Sequence, residues 1–530
     1  MCGIAVAIDW EGAEAAASSV LKDLNHRGDV TDPVLLPRKN VAMGTRRLRI
    51  VDADGGEQPK LSANGRILVS FNGEIYNHAE LRRELEALGV QFHSLSDTEV
   101  LANALSLWGP AALGRLEGMY AFVAYDIDAG EFLAARDPFG VKPLYLIERN
   151  GGHLFSSEIR PLLKACETGN VLLLPPGHFL TRRTLQKFTR TPSQPIDAAP
   201  SLDELMRNAV HSRVPPDLPF ALLFSGGIDS TLVAHYAREL RSEAPGYFLG
   251  DEKAPDYEFA ARYADLSGLE LRTVSMAAPR FSTRAHLKDV ISTLETFEPS
   301  VVRDAMCNYA LFEQVHADGF RVALSGEGAD ELFAGYVPLE IAFAHGGEAG
   351  NFVRSQTLDN MSRTNLQRLD RCAMRFQIEA REPLLDSQLA AYALSLDAKS
   401  LVSGVAAGYS GKQPLRELFD LYEDRLPDSI RRRRKVALHV GSGLDTSQNI
   451  SPWIDFANAT VSDVEFAEGR CQFALFQPTS KEEVLYLRLL AEQMDLHRVP
   501  HLTARPFLKF PAIPLSKEAA ATLGALAAAA

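Results

Sequence analysis

Cysteine is scarce in this chain of 530 residues: Cys2, Cys166, Cys307, Cys372 and Cys471 are few, odd in number and scattered, with no Cys-x-x-Cys pair. That argues against a disulfide framework or a zinc site and suits a reducing cytosol. Positive charge is also in deficit: 55 Lys and Arg against 68 Asp and Glu leave a formal net charge of -13. Nucleic acid and anionic membrane are poor main partners for such a surface, although a local basic pocket is still allowed. No apolar run is long enough to span a bilayer. The first such run is short and broken by Asp9 and Glu11, so no secretory signal is visible. A Gly-x4-Gly-Lys-Ser/Thr phosphate loop is missing, as are internal repeats and long low-complexity segments. What remains is an ordinary globular composition, 46% hydrophobic and 23% charged, in a chain long enough for two or three domains.

The texture changes along the chain. Residues 1 to about 185 read as mostly β, in short alternating runs such as "RILVSFNGEIY" and "MYAFVAYD" broken by Gly, Asn and Asp. "RTPSQPIDAAP" (190–200) reads as a linker. "SLDE" then sets Ser201 three residues before Glu204, the signature of a capping box. Beyond it, apolar strands such as "FALLFS" and "RVALSG" alternate with helical patterns, the mark of a parallel α/β sheet. After about residue 340 the pattern is mainly helical. The closing "AAATLGALAAAA" reads as a frayed helix or a disordered tail.

Cys2 raises a chemical question. With Met1 removed, its thiol would sit beside a free α-amine that titrates near neutrality, giving nucleophile and base in one residue. A second-position cysteine alone says little. Here it is followed by "HRG" (26–28), "RLRIVD" (47–52), "NGEIYNH" (72–78), "SDTE" (96–99) and "ARDPFGVKPLY" (135–145). Taken singly these have plain readings. Arg47 could be a solvated arginine, Asn72-Gly73 a hairpin turn, and Asp97 a helix cap.

Taken in this order, the series resembles the class II glutamine amidotransferase domain, an N-terminal-nucleophile glutaminase, over residues 2–185. The resemblance implies that Cys2 attacks the glutamine side-chain amide. Asn72 and the Gly73 N–H would form the oxyanion hole. Arg47 would hold the α-carboxylate, Asp97 the α-ammonium, and Val51 and the backbone near Glu74 would complete the glutamine site. The family usually reads HRGPD where this chain has "HRGDV", which implies a changed loop around the retained Arg27 and Gly28.

A second motif lies in "FALLFSGGIDSTLVAHYAREL" (220–240): an apolar strand, a Ser-Gly-Gly turn and a helix. Ser225, Gly226, Gly227 and Ser230 can offer an anion nest at a helix N-terminus. The plain alternative is a tight turn with Asp229 as a cap. "ALSGEGADELFAGY" (323–336) brings Glu327 and Asp330 near the same kind of strand end, and "DRCAMRFQIEAREPLLD", "GK" (411–412), "RRRRK" (431–435) and "TSKEEVLYLR" follow. This series resembles the ATP-pyrophosphatase synthetase domain of the glutamine-hydrolysing asparagine synthetase family.

The resemblance implies ATP and Mg²⁺ as cofactors. Leu223, Leu249, Ser325 and Gly326 would meet the adenosine, and Asp229 and Asp330 would bind the metal. Glu327 would serve the acyl-adenylate step, Lys435 would neutralise phosphate charge, and Arg303 would lie near the acceptor pocket. Most of the arginines of "RRRRK" are expected on a solvated face, with Lys435 the exception.

The expected architecture is therefore two domains of α/β and α+β class. An N-terminal-nucleophile αββα sandwich (2–185) leads through a linker (186–200) to a parallel-sheet α/β ATP-pyrophosphatase domain with added helices (201–510), then a tail (511–530). The expected partners are glutamine, ATP and a small carboxylate, with no nucleic acid and no membrane, in the cytoplasm; the resemblance leaves room for a homodimer. It also implies an ammonia tunnel lined by apolar residues. The acceptor is aspartate in the family's type reaction. Two apolar departures, Val301 in "PSVVRD" and the stretch "KVALHVGSG" (435–443), leave open a different carboxylate, for example in natural-product biosynthesis.

Overall fold

The computed structural model describes residues 1–189, 200–276, 283–403, 410–442 and 452–504. The expected tail (511–530) and most of the expected linker (190–199) lie outside the described residues, as does Gly443.

The strand Cys2–Ile8 is buried at every position. Its alternate faces explain this. Ile4, Val6 and Ile8 pack with Leu68, Ala121 and Val123 of a second sheet, while Ala5 and Ala7 pack with Ala17 and Val20 of the helix Ala13–Asp23. The first sheet is antiparallel in the order 171–173, 145–149, 152–156, 2–8, 41–47, 30–31, with 35–38 beside 41–47. The second runs 185–187, 178–180, 131–136, 118–126, 67–75, 60–61. Its outer face carries the helices His78–Ala87 and Asp97–Trp108 over Val69, Phe71 and Ile75. Two sheets between two helical layers give the expected αββα sandwich. The strand Leu185–Lys187 pairs with His178–Leu180, so the sheet runs past the expected boundary at residue 185.

The helix Leu202–His211 opens on the capping box read from the sequence, with Ser201 Oγ accepting from Glu204 N–H and the Glu204 carboxylate answering. It leads into a five-stranded, wholly parallel sheet in the order 271–274, 246–249, 220–223, 322–324, 379–381. Chain order reverses between 220–223 and 322–324. In open parallel sheets the crevice beyond the strand ends at such a switch point is where ligands bind. Beyond residue 337 the described chain is helical apart from Glu379–Arg381 and short turns.

The halves meet through buried ion pairs. Arg27 grips Asp370 with both terminal nitrogens at 3.0 Å. Arg371 pairs with Glu158 and with Glu295, each at 2.8 Å. No helix among the described residues is long and apolar enough to cross a membrane.

Candidate functional site

Antiparallel register places Cys2 opposite Arg47 at the end of the first sheet. Cys2, Arg47, Val51, Gly73, Glu74 and Asp97 line one pocket, together with Met1, Gln58 and Glu379. Its open space is about 340 Å³, mouth included. The Cys2 N–H donates to Asn72 Oδ1 at 2.8 Å. Asn72 Nδ2 is buried and has no partner, so a donor stands ready beside the thiol. Gly73 is required where it is: a Cβ there would lie 2.1 Å from the Met119 carbonyl oxygen. Arg27, fully buried, donates from Nε to the Cys2 carbonyl at 3.0 Å. Burial raises the Cys2 thiol, against the lowering pull of the Met1 ammonium.

Asp32 fixes Arg47, accepting from its Nε at 2.9 Å. Opposite stand three carboxylates. Ser96, not Asp97, caps the helix Asp97–Trp108, which frees Asp97 to accept from Ile75 N–H at 3.0 Å. Burial pushes Asp97 up to about 6, with Glu379 adding to it against the Ile75 and Thr98 N–H groups. Glu74 is raised further, by burial and by Asp97. Burial would raise Glu379 too, but the Met1 ammonium, 2.8 Å away, and Arg381 hold it near 2. Arg381 donates to Glu379 Oε1 at 2.7 Å and to Glu74 Oε2 at 3.0 Å. A pocket with an arginine on one side and this much carboxylate on the other suits a zwitterion.

The second site is the crevice at the switch point of the parallel sheet. Its open space is about 1150 Å³, mouth included. Leu223, Ser225, Gly227, Asp229, Ser230, Leu249, Ser325, Gly326, Glu327, Asp330 and Lys435 all line it. Gly226 adopts φ +65°, and a Cβ on it would meet Ala260 N at 2.5 Å, so the turn needs glycine. Lys412 Nζ sits between the two aspartates, 2.5 Å from Asp229 and 2.6 Å from Asp330, and Lys435 reaches Asp330 at 2.7 Å. Burial would raise Asp330, but these two ammonium groups hold it near 2. Asp229 is raised by burial, against Lys412. Its Oδ1 is buried and unpartnered. A magnesium ion commonly takes one or two carboxylates plus phosphate oxygens, so this pair fits that role. Among the described residues no group of three or more His, Cys, Asp or Glu is arranged to hold a metal alone.

Arg303 is not among the residues lining the crevice, and its Nε lies 3.7 Å from Glu482 and 3.4 Å from the Pro299 carbonyl. The buried Arg368 joins Asp304 at 2.8 Å to Glu327, which lines the crevice, while His439 Nδ1 meets Asp304 at 2.6 Å. Of the arginines before Lys435, Arg432 and Arg434 are exposed, whereas Arg433 is drawn in. The Arg433 side chain is 8% exposed, pairs with Asp256, and donates to the Ser225 carbonyl at 3.2 Å. Of the two apolar departures, Val301 is buried in the core, whereas Val436 and Leu438 line the crevice.

Sequence patterning assigns no role to Asp32, Gln58, Glu379, Arg381, Arg368 or Lys412. Glu379, Arg381 and Lys412 stand inside quoted motifs, which was the available signal.

A glutamine amidotransferase domain model matches residues 1–190, and an asparagine synthase model matches residues 201–343 and 347–504. A probable asparagine synthetase (glutamine-hydrolyzing) of Schizosaccharomyces pombe is 31% identical, covering 93% of this chain and 93% of the relative. One from Dictyostelium discoideum is 31% identical over 92% of this chain and 93% of the relative. Asparagine synthetase (glutamine-hydrolyzing) 1 of Saccharomyces cerevisiae is 28% identical, with 92% of each covered.

Proposed function

Because this chain belongs to the asparagine synthase family, we propose that it is a glutamine-dependent ligase that adenylates a carboxylate with ATP and amidates it with glutamine-derived ammonia, the acceptor being aspartate and the product asparagine. One observation carries this reading. The strand Glu379–Arg381 begins in the Cys2 pocket, which Glu379 lines, and pairs with Val322–Leu324, whose next residues Ser325 and Gly326 line the nucleotide crevice. Two chemistries share one wall.

In the first site, removal of Met1 takes its side chain and ammonium from the pocket and leaves the α-amine on Cys2. That amine accepts the thiol proton, and Sγ attacks the glutamine amide carbon. Asn72 Nδ2 and the Gly73 N–H receive the oxyanion. Ammonia leaves, and water later cleaves the thioester to glutamate. Arg47 holds the α-carboxylate, and Asp97 with Glu74 holds the α-ammonium.

In the second site, the acceptor carboxylate attacks the α-phosphorus of ATP and pyrophosphate leaves. Asp229 and Asp330 would hold Mg²⁺, which supplies positive charge to the phosphate oxygens. Lys435 and Lys412 carry further positive charge at the same place. Glu327, fixed by Arg368, faces the acyl-adenylate, which ammonia attacks as AMP departs.

The test is product analysis with glutamine, ATP and Mg²⁺ over a panel of carboxylates. Aspartate should give the highest kcat/KM, with AMP, pyrophosphate and asparagine formed together. Val436 and Leu438 on the crevice wall favour a second reading, the same chemistry on a less polar carboxylate. Pyrophosphate release with such an acid and none with aspartate would select it.

A further inference from the structure

Between the two sites stands a carboxyl group that neither mechanism uses. Glu382 follows the strand Glu379–Arg381 by one residue. It is 5% exposed, and its Oε2 is buried without a hydrogen-bond partner. Ser325 N–H donates to the Arg381 carbonyl at 3.0 Å, which sets Glu382 beside the loop that carries Glu327. At about 3.3 Å per residue, Glu382 is roughly 10 Å along the chain from Glu379 in the Cys2 pocket. It therefore continues the wall that the two sites share.

The groups facing Glu382 come from both halves of the molecule. They are Lys142, Asp137 and Tyr76 of the first domain, and Asp370 and Glu327 of the second. Most are committed elsewhere. Asp137 accepts backbone N–H groups from Tyr120, Phe139, Val141 and Lys142. Asp370 is held by Arg27, and Glu327 by Arg368. Lys142 Nζ donates to the Ala380 carbonyl at 3.4 Å and is 3.8 Å from Asp370. Burial pushes Glu382 up to about 8, with Asp370, Asp137 and Glu327 adding to it against Lys142. A fold does not leave a buried carboxyl unsatisfied without cost, and an apolar side chain would fill the same place at less cost. What passes this point, on the reading above, is ammonia, a small molecule with three N–H donors and one lone pair. A carboxylate accepts from its N–H groups, and a carboxylic acid donates to its lone pair.

We propose that Glu382 is a binding station for ammonia between the two sites, holding the molecule by hydrogen bonding to Oε2 before it reaches the acyl carbon beside Glu327. This rests on the two-site amidotransferase reading and adds to it a polar stop on a route expected to be apolar.

The experiment compares the parent with Glu382→Val and Glu382→Gln. For each it measures glutamate released, amide formed from glutamine, amide formed from saturating ammonium chloride, and the thermal midpoint. In Glu382→Val, glutamate release and ammonium-driven synthesis should stay near the parent's. Amide per glutamate should fall about fivefold, the worth of one hydrogen bond. Glu382→Gln, which keeps a hydrogen-bonding group, should recover most of the coupling. The thermal midpoint of Glu382→Val should not fall, since an unpaired polar group has been removed. Parent-like coupling in Glu382→Val overturns the station and leaves the two-site reading standing. So does an equal loss of ammonium-driven synthesis, which would make Glu382 part of the acceptor site. A parent that makes no amide from any acceptor overturns the two-site reading, and the station with it.

Discussion

Arg381 donates to Glu74 Oε2 at 3.0 Å, joining residues 307 positions apart. The same guanidinium holds Glu379 Oε1 at 2.7 Å. On the proposed reading, glutamine recognition in the first domain thus depends on a side chain that belongs to the sheet of the second. Arg381→Leu should leave two buried carboxylates short of a partner and lower stability by about 3–5 kcal/mol. It should also raise the KM for glutamine while sparing that for ammonium. Urea unfolding and paired kinetics check both; an unchanged glutamine KM would count against the shared wall.

Cys2→Ala should abolish glutamate release and glutamine-driven amide formation while ammonium-driven synthesis persists. Intact mass of the active parent should show Met1 absent. Retained glutamine use in the variant, or Met1 on active enzyme, would remove Cys2 from its role.

Asp229→Asn and Asp330→Asn should each suppress AMP and pyrophosphate formation by about a hundredfold or more, as expected when charge stabilisation at a transferring phosphoryl group is lost. Glutaminase activity should remain, because it is housed in the other domain. Lys412→Met should be as damaging, since it leaves Asp229 and Asp330 facing each other with one lysine fewer. Full AMP formation in any of the three would sink the phosphate-site assignment.

Glu331 gives a pH signature. Its Oε1 accepts from Tyr336 at 2.8 Å and from Asn365 at 2.9 Å, while Oε2 is buried and unpartnered. Burial, with Asp330 and Glu327, pushes it up to about 7 from a usual 4.5. The folded state therefore keeps this proton over a range where the unfolded chain has released it. Its contribution is fully favourable below about pH 4.5 and is lost as pH rises toward 7. Glu331→Gln should gain stability over the parent as pH rises through that window, by about 3 kcal/mol at the plateau, on the order of 1.4 kcal/mol per unit. Unfolding midpoints at pH 5, 6, 7 and 8 measure the gain; a pH-independent difference would contradict it.

Much of this molecule is legible in its residue order. The buried first strand, the capping box at Ser201, the parallel sheet and the two glycine turns follow from patterning and local chemistry, and every residue assigned to glutamine falls in or against one pocket. What escaped is set by tertiary pairing. Periodicity tells which face of an element is buried, not which side chain it is buried against. Arg303 and Arg368 are both arginines on helices near Asp304, yet only Arg368 turns inward to Glu327. Arg433 looks like its neighbours in a charge run until the fold brings Asp256 beside it. Lys412 stands far from Asp229 and Asp330 in sequence, so no local spacing announces it.

The buried ion pairs between the halves bear on how this enzyme could be re-engineered. Arg27, Glu74 and Glu158 of the first domain find their counter-charges in Asp370, Arg371 and Arg381, all within twelve positions of the second. A chimera that grafts a foreign glutaminase onto this synthetase must therefore match that short segment, and Glu295 and Arg213 with it, or inherit stranded charges on both sides of the seam. Cutting between the two halves in sequence would be convenient for cloning, but the unit of exchange is the first domain together with the second-domain residues that answer its charges, which are residues 370–381 with Glu295 and Arg213.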